Sequence, residues 1–205
     1  MTDFECYSLI INAFGVTAAI LIVIVAIWGE KIRQKWNSPK LTIELDETTF
    51  NETVGGIKGW YFRIKIKNDR QSSPANNVRL LITNVLKKGP DGNWIEQKFS
   101  GPTQVMWQWP RVTPLYLTIG PEQSATFGSL LSNSNAIELK FYWYPNNLEK
   151  VIKDNDQTLL RFKAVSDTAE SNTLNIEVAW DGEWVEGITE MNNHCIVRET
   201  NWKNK

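Results

Sequence analysis

The chain has 205 residues, 42% of them hydrophobic, and carries a formal net charge of −1. That length holds one membrane segment and one medium-sized domain, and the near-zero charge argues against a broad phosphate-binding surface, which needs an excess of Lys and Arg. Nucleic acid is therefore not an expected partner, and two cysteines as far apart as Cys6 and Cys195 exclude a disulfide framework.

Residues 1–6, MTDFEC, form a short acidic N-terminus, and from Tyr7 to Trp28 no side chain is charged. A helix of that length covers roughly 33 Å, slightly more than a hydrocarbon core of about 30 Å. Tyr7 and Trp28 supply interfacial rings at its two ends. A cleaved signal peptide would need a basic start and a small-residue cleavage site, and neither is evident. The expectation is a retained transmembrane helix over 7–28.

Lys31, Arg33, Lys35 and Lys40 follow the helix, and no Lys or Arg precedes it. The positive-inside rule then puts the bulk of the chain in the cytoplasm, anchored to the membrane by that helix. Ser8, Asn12, Gly15, Ala19, Ile22 and Ala26 recur at spacings of three and four and share one helical face. Small residues there let a second helix approach closely, so a homo-oligomer through this stripe is expected. Residues 29–39 read as a short basic linker.

Past residue 40 the period changes from helical to alternating. In GWYFRIKIKN, Trp60, Phe62, Ile64 and Ile66 take one face, while Tyr61, Arg63, Lys65 and Lys67 take the other. Further strand-like runs are LTIELD, NNVRLLITNVLKK, NWIEQKF, QVMWQW, QSATFGSLL, AIELKFYWY, TLLRFKAVS, LNIEVAW and HCIVRE. Turn-rich stretches such as NDRQSSPA, KKGPDGN, SNSN and NNLEKVIKDNDQ separate them. At most SLLSN and TEMNN could be single helical turns. Many short strands imply a mainly β domain over 40–200, an antiparallel β-sandwich, with residues 201–205 as a tail.

The stretch YFRIKIKNDRQSSPANNVRLLITNV resembles the strand–turn–strand of immunoglobulin-like bacterial modules of the CARDB type. An alternating strand ends in Asn68, and a turn through Pro74 leads to Ala75, Asn77 and Val78 at the start of the next strand. With YPNNLE and AWDGEW, the whole chain also resembles a family of single-pass bacterial membrane proteins. These resemblances imply an immunoglobulin-like fold and bring no activity with them.

No P-loop, dinucleotide fingerprint, HExxH or CxxC occurs, and no cofactor or metal is expected. His194 is the single histidine, and in one strand its side chain and that of Cys195 would point to opposite faces. Asp154 and Asp156 lack the Gly and later Glu of a calcium loop. Glu186 and Glu190 could pair as acid and base, but acidic loops are far commoner, and no enzyme is expected.

The ten tryptophans are more informative. Trp60 and Trp180 sit in alternating strands and are expected in the core. Trp107 and Trp109 share a face, and if exposed they would form a flat platform, with Trp184 a further candidate, able to stack on a sugar, a base or a partner chain. The alternative is that such rings cap the open ends of the sandwich. AWDGEW suggests a tight hairpin turning at Asp181-Gly182. The composite expectation is a membrane-anchored, non-enzymatic recognition or assembly protein, in its sharper form an oligomeric effector sensing an unassigned partner or small ligand through its cytosolic sandwich, with a surface-facing carbohydrate-binding module as the alternative.

Overall fold

The computed structural model describes residues 15–23, 25–26, 28–29, 38–52, 56–108 and 116–202. The chain divides into two compact units, Met1–Ser38 and Pro39–Lys205. In the first, Gly15 to Val23 are helical, as are residues 25–26 and 28–29. Among the described residues no helix is long and apolar enough to cross a membrane. The expected span over 7–28 is described only from Gly15 onward, so Ser8 and Asn12 lie outside the described residues, as does Cys6.

The second unit is mainly β, as the alternating sequence predicts. Its strands are β1 (Leu41–Leu45), β2 (Thr49–Glu52), β3 (Lys58–Asn68), β4 (Ala75–Lys88), β5 (Trp94–Glu96), β6 (Thr103–Gln104) and β7 (Met106–Trp107). They continue with β8 (Leu117–Ile119), β9 (Glu122–Leu131), β10 (Ala136–Leu139), β11 (Val151–Lys153), β12 (Gln157–Val165) and β13 (Glu170–Trp180). A helix, α1 (Ile188–His194), precedes β14 (Cys195–Glu199).

Two antiparallel sheets result. One runs β1-β3-β9-β10-β11, with β2 beside β3 and β7 beside β9; the other runs β14-β13-β12-β4-β5, with β6 and β8 beside β4. Their inner faces share one apolar core. Trp60, Phe62, Ile64 and Ile66 contribute from β3, Leu80 and Ile82 from β4, Phe127 from β9, Phe162 from β12 and Ile176 from β13. The alternation of β3 is realised residue for residue, the four apolar side chains being buried and Tyr61, Arg63, Lys65 and Lys67 partly exposed. The architecture is that of a β-sandwich compatible with an immunoglobulin-like module.

Asn68 explains how the chain is led into this sandwich. Its side chain is buried, and its Oδ1 accepts the backbone N–H groups of Lys40 and Arg70 at 3.1 and 3.2 Å. Its Nδ2 donates to the Ser73 carbonyl at 2.7 Å. One amide therefore ties the residue before β1 to the β3–β4 turn. At the far side of that turn Asn77 takes φ 54°, a left-handed conformation that Asn tolerates better than most residues, while Ala75 and Val78 are fully buried.

QVMWQW, expected as one strand, is split between the sheets. Thr103 and Gln104 pair with β4, whereas Met106 and Trp107 pair with β9. Val105 sits at the crossing, its N–H donating to Leu80 O at 2.9 Å, and is fully buried. AIELKFYWY likewise stops short as a strand at Leu139, and the Tyr144 hydroxyl turns back to donate to the Leu139 carbonyl. β2, β8 and β11 have no counterpart in the sequence reading, because three or four residues are too few to display a period.

Candidate functional site

The crossing at Val105 corrects the aromatic platform. Trp107 is 0% exposed, within the core between the sheets, and presents no face to a ligand. Trp109 lies outside the described residues. Trp143 is the ring that β10's early end leaves outside, at 63% exposure. Trp60 and Trp180 are buried, as the alternating pattern predicts.

Trp184 leads to a more organised place. AWDGEW does not make a tight hairpin: Gly182 takes φ 98°, yet the strand returning along β13 is β14, with Trp180 opposite Cys195. The reason is a set of bonds that curl the chain after Trp180. Asp181 Oδ1 accepts the Glu183 N–H at 2.9 Å, and the Trp180 indole N–H donates to the Glu183 carbonyl at 3.0 Å. From the other sheet, the Trp60 indole N–H donates to the Val185 carbonyl at 2.9 Å, and Lys58 pairs with Glu186. Two core tryptophans, one per sheet, thus staple the segment 181–187 over one end of the sandwich.

Trp184 is half-buried in this loop and packs against the core. Phe50 of β2, 37% exposed, lies 4.8 Å from the Trp60 ring and 6.3 Å from the Trp184 ring, centroid to centroid. The Trp184 indole N–H is buried without a hydrogen-bond partner, an arrangement that costs about 1–3 kcal/mol. The result is an apolar aromatic end flanked by the Lys58–Glu186 ion pair. Its constituents come from β2, β3 and the loop after β13, which no local motif could have announced.

Beside the loop a cleft of about 200 Å³ is lined by Asn155, Trp180, Asp181, Asn193, His194 and Ile196. His194 ends α1 rather than lying in a strand, while Cys195 opens β14 and is buried. Burial pushes the Cys195 thiol up to about 12, so it stays protonated at neutral pH. Asp156 pairs with Lys87 at 3.1 Å, and Glu186 with Lys58. Among the described residues no three His, Cys, Asp or Glu side chains group so as to hold a metal ion.

His194 Nδ1 lies 2.9 Å from Asp181 Oδ2 and 3.5 Å from Glu183 Oε2. The hydrogen bond to Asp181, aided by the charges of Glu183, Asp181 and Glu190, holds the imidazole above its ordinary value of 6.5. Asp181 is held below 3.8, chiefly by the Glu183 N–H and then by His194. The histidine's contribution is fully present below its unfolded value and is lost as pH rises through the raised folded value. That of Asp181 is present above 3.8 and lost as pH falls through its lowered value. The clasp is therefore tightest in mildly acidic solution. In an NMR titration His194 is expected to deprotonate above 6.5, and Asp181→Asn is expected to move that midpoint down; an unchanged midpoint would remove the clasp.

Gly15, Ala19 and Ala26 of the expected helix–helix stripe are exposed on the helical residues of the first unit. No protein-family model, curated protein or solved structure matches the chain.

Proposed function

We propose that the chain is a single-pass membrane protein of non-enzymatic recognition and assembly, with residues 7–28 spanning a bacterial inner membrane and the sandwich in the cytoplasm. The observation that carries this reading is the helix from Gly15. Val16, Ile20, Leu21, Ile22, Val23, Val25 and Trp28 are each more than half exposed, pointing to every side. A helix apolar all round calls for lipid or another helix about it. The basic residues after Trp28 orient it, and the stripe through Gly15 and Ala19 supplies the face for self-association.

The sandwich is the recognition part, an immunoglobulin-like module of the CARDB type in this reading. The chain enters it at Lys40, beside Asn68, whereas Phe50, Trp60 and Trp184 gather at the opposite end of β3, roughly 26 Å away at about 3.3 Å per residue. That aromatic end is the surface offered to a protein or small-molecule partner. The carbohydrate-binding alternative drew on Trp107 and Trp109 as a pair, and Trp107 is buried.

Three measurements test the reading. The full chain is expected to stay in the membrane pellet after alkaline carbonate washing, while a chain beginning at Pro39 moves to the soluble fraction. A C-terminal reporter is expected to be active only in the cytoplasm. In membranes, Gly15→Leu is expected to weaken self-association by steric exclusion, whereas Ile20→Leu leaves it unchanged. A full chain that washes off the membrane, or a reporter active only in the periplasm, would sink the assignment.

A further inference from the structure

β1 is bonded along both edges, and only one of them is a ladder. Its inner edge pairs with β3 from Leu41 opposite Asn68 to Leu45 opposite Ile64. Its outer edge is met by side chains of the other sheet. Asn172 of β13 accepts the Ile43 N–H at 2.8 Å through Oδ1 and donates to the Ile43 carbonyl at 3.0 Å through Nδ2, satisfying both groups of one residue as a strand would. Two residues on, the Leu45 N–H donates to the Glu199 carboxylate at 2.6 Å. A carboxylate accepting from a backbone N–H makes the stronger, charge-assisted kind of bond.

Glu199 is the last residue of β14, and β14 is continuous with the loop described above. Asp181–Gly187 leads directly into α1, whose Met191 is buried in the core and whose Met191 carbonyl accepts the Cys195 N–H. β14 then runs along β13 to place Glu199 opposite Ile176, about 13 Å from Cys195. As the edge strand of its sheet it has a ladder on one side only, so it is freer to shift than β13 or β12. One short strand therefore has the stapled loop at its start and the grip on β1 at its end.

We propose that β14 is a coupling strut: displacement of the Asp181–Gly187 loop is passed through α1 and β14 to β1 by the Glu199–Leu45 bond, with Asn172 holding the neighbouring peptide. β1 is the strand through which the N-terminal segment joins the sandwich. An event at the aromatic end thus changes how firmly β1 is held in the sandwich. The coupling lies wholly within the sandwich and does not depend on the membrane assignment.

The test is hydrogen–deuterium exchange of the full chain in mild detergent, read in peptides covering Leu41–Leu45. Two separate variants loosen the loop: Trp184→Ala, and Asp181→Asn with Glu183→Gln, whose side chains are exposed so that the core is untouched. Each is expected to speed exchange in the loop and, by about fivefold or more, in Leu41–Leu45. In a Glu199→Ala background the same loop changes are expected to add less than about twofold, the non-additivity of a shared route. The proposal is overturned if the loop loosens while Leu41–Leu45 keeps its rate, or if the effect survives undiminished in Glu199→Ala. Equal acceleration in Ala136–Lys153, which marks global loosening, overturns it too. So does a loop that stays protected in both variants, since no movable trigger then exists.

Discussion

Trp107→Ala is expected to lower the stability of the sandwich by about 3–5 kcal/mol, a large fraction of the about 5–15 kcal/mol that keeps a domain folded. The ring is fully buried where the chain crosses between sheets, and its removal opens a cavity in the apolar core of which Val105 and Phe141 are also part. Neighbouring side chains can collapse into such a space only in part, so the loss exceeds the transfer free energy of the ring. Urea unfolding of the purified protein measures it. Trp143→Ala is the matched control, because that ring is 63% exposed and its loss is expected to fall within about 0.5 kcal/mol. Two variants of equal stability would mean that Trp107 is not in the core.

The second large effect is expected at Asn68. Asn68→Leu keeps the branched outline and leaves the Lys40 and Arg70 N–H groups and the Ser73 carbonyl without their partner. Each buried group left unmade costs about 1–3 kcal/mol, and some water reaches these half-buried ones, so a total of about 2–4 kcal/mol is expected. The local signature separates this from a general core defect: amide exchange is expected to rise first at Lys40 and Leu41, where β1 loses its tether, before β12 or β13 responds. Uniform exchange across all strands would contradict the tether. Asn68 ends the alternating strand β3, and its three bonds give that position a physical reason.

The alternating patterns of this chain determined what faces inward. Trp60, Phe62, Ile64 and Ile66 could be assigned to the core from a period of two, because side chains in a strand alternate whatever the strand pairs with. Trp180 followed from the same logic, and glycines at turns such as KKGPDGN and AWDGEW are where φ becomes positive, at Gly92 and Gly182. Which sheet a strand joins was decided only by the tertiary structure. QVMWQW reads as one alternating run, yet it divides at Val105, and that division is what buries Trp107. The loop after Trp180 misled for a related reason: Asp-Gly permits a tight turn, but bonds from Trp180 and Trp60 draw the chain into a longer path through α1 before it returns. The seam on β1 lies furthest from sequence reading. Ile43 and Asn172 are 129 residues apart, and a period seen in a short window contains no information about a partner at that distance. Periodicity specifies burial locally; register and sheet membership come from bonds between segments that only the folded chain brings together.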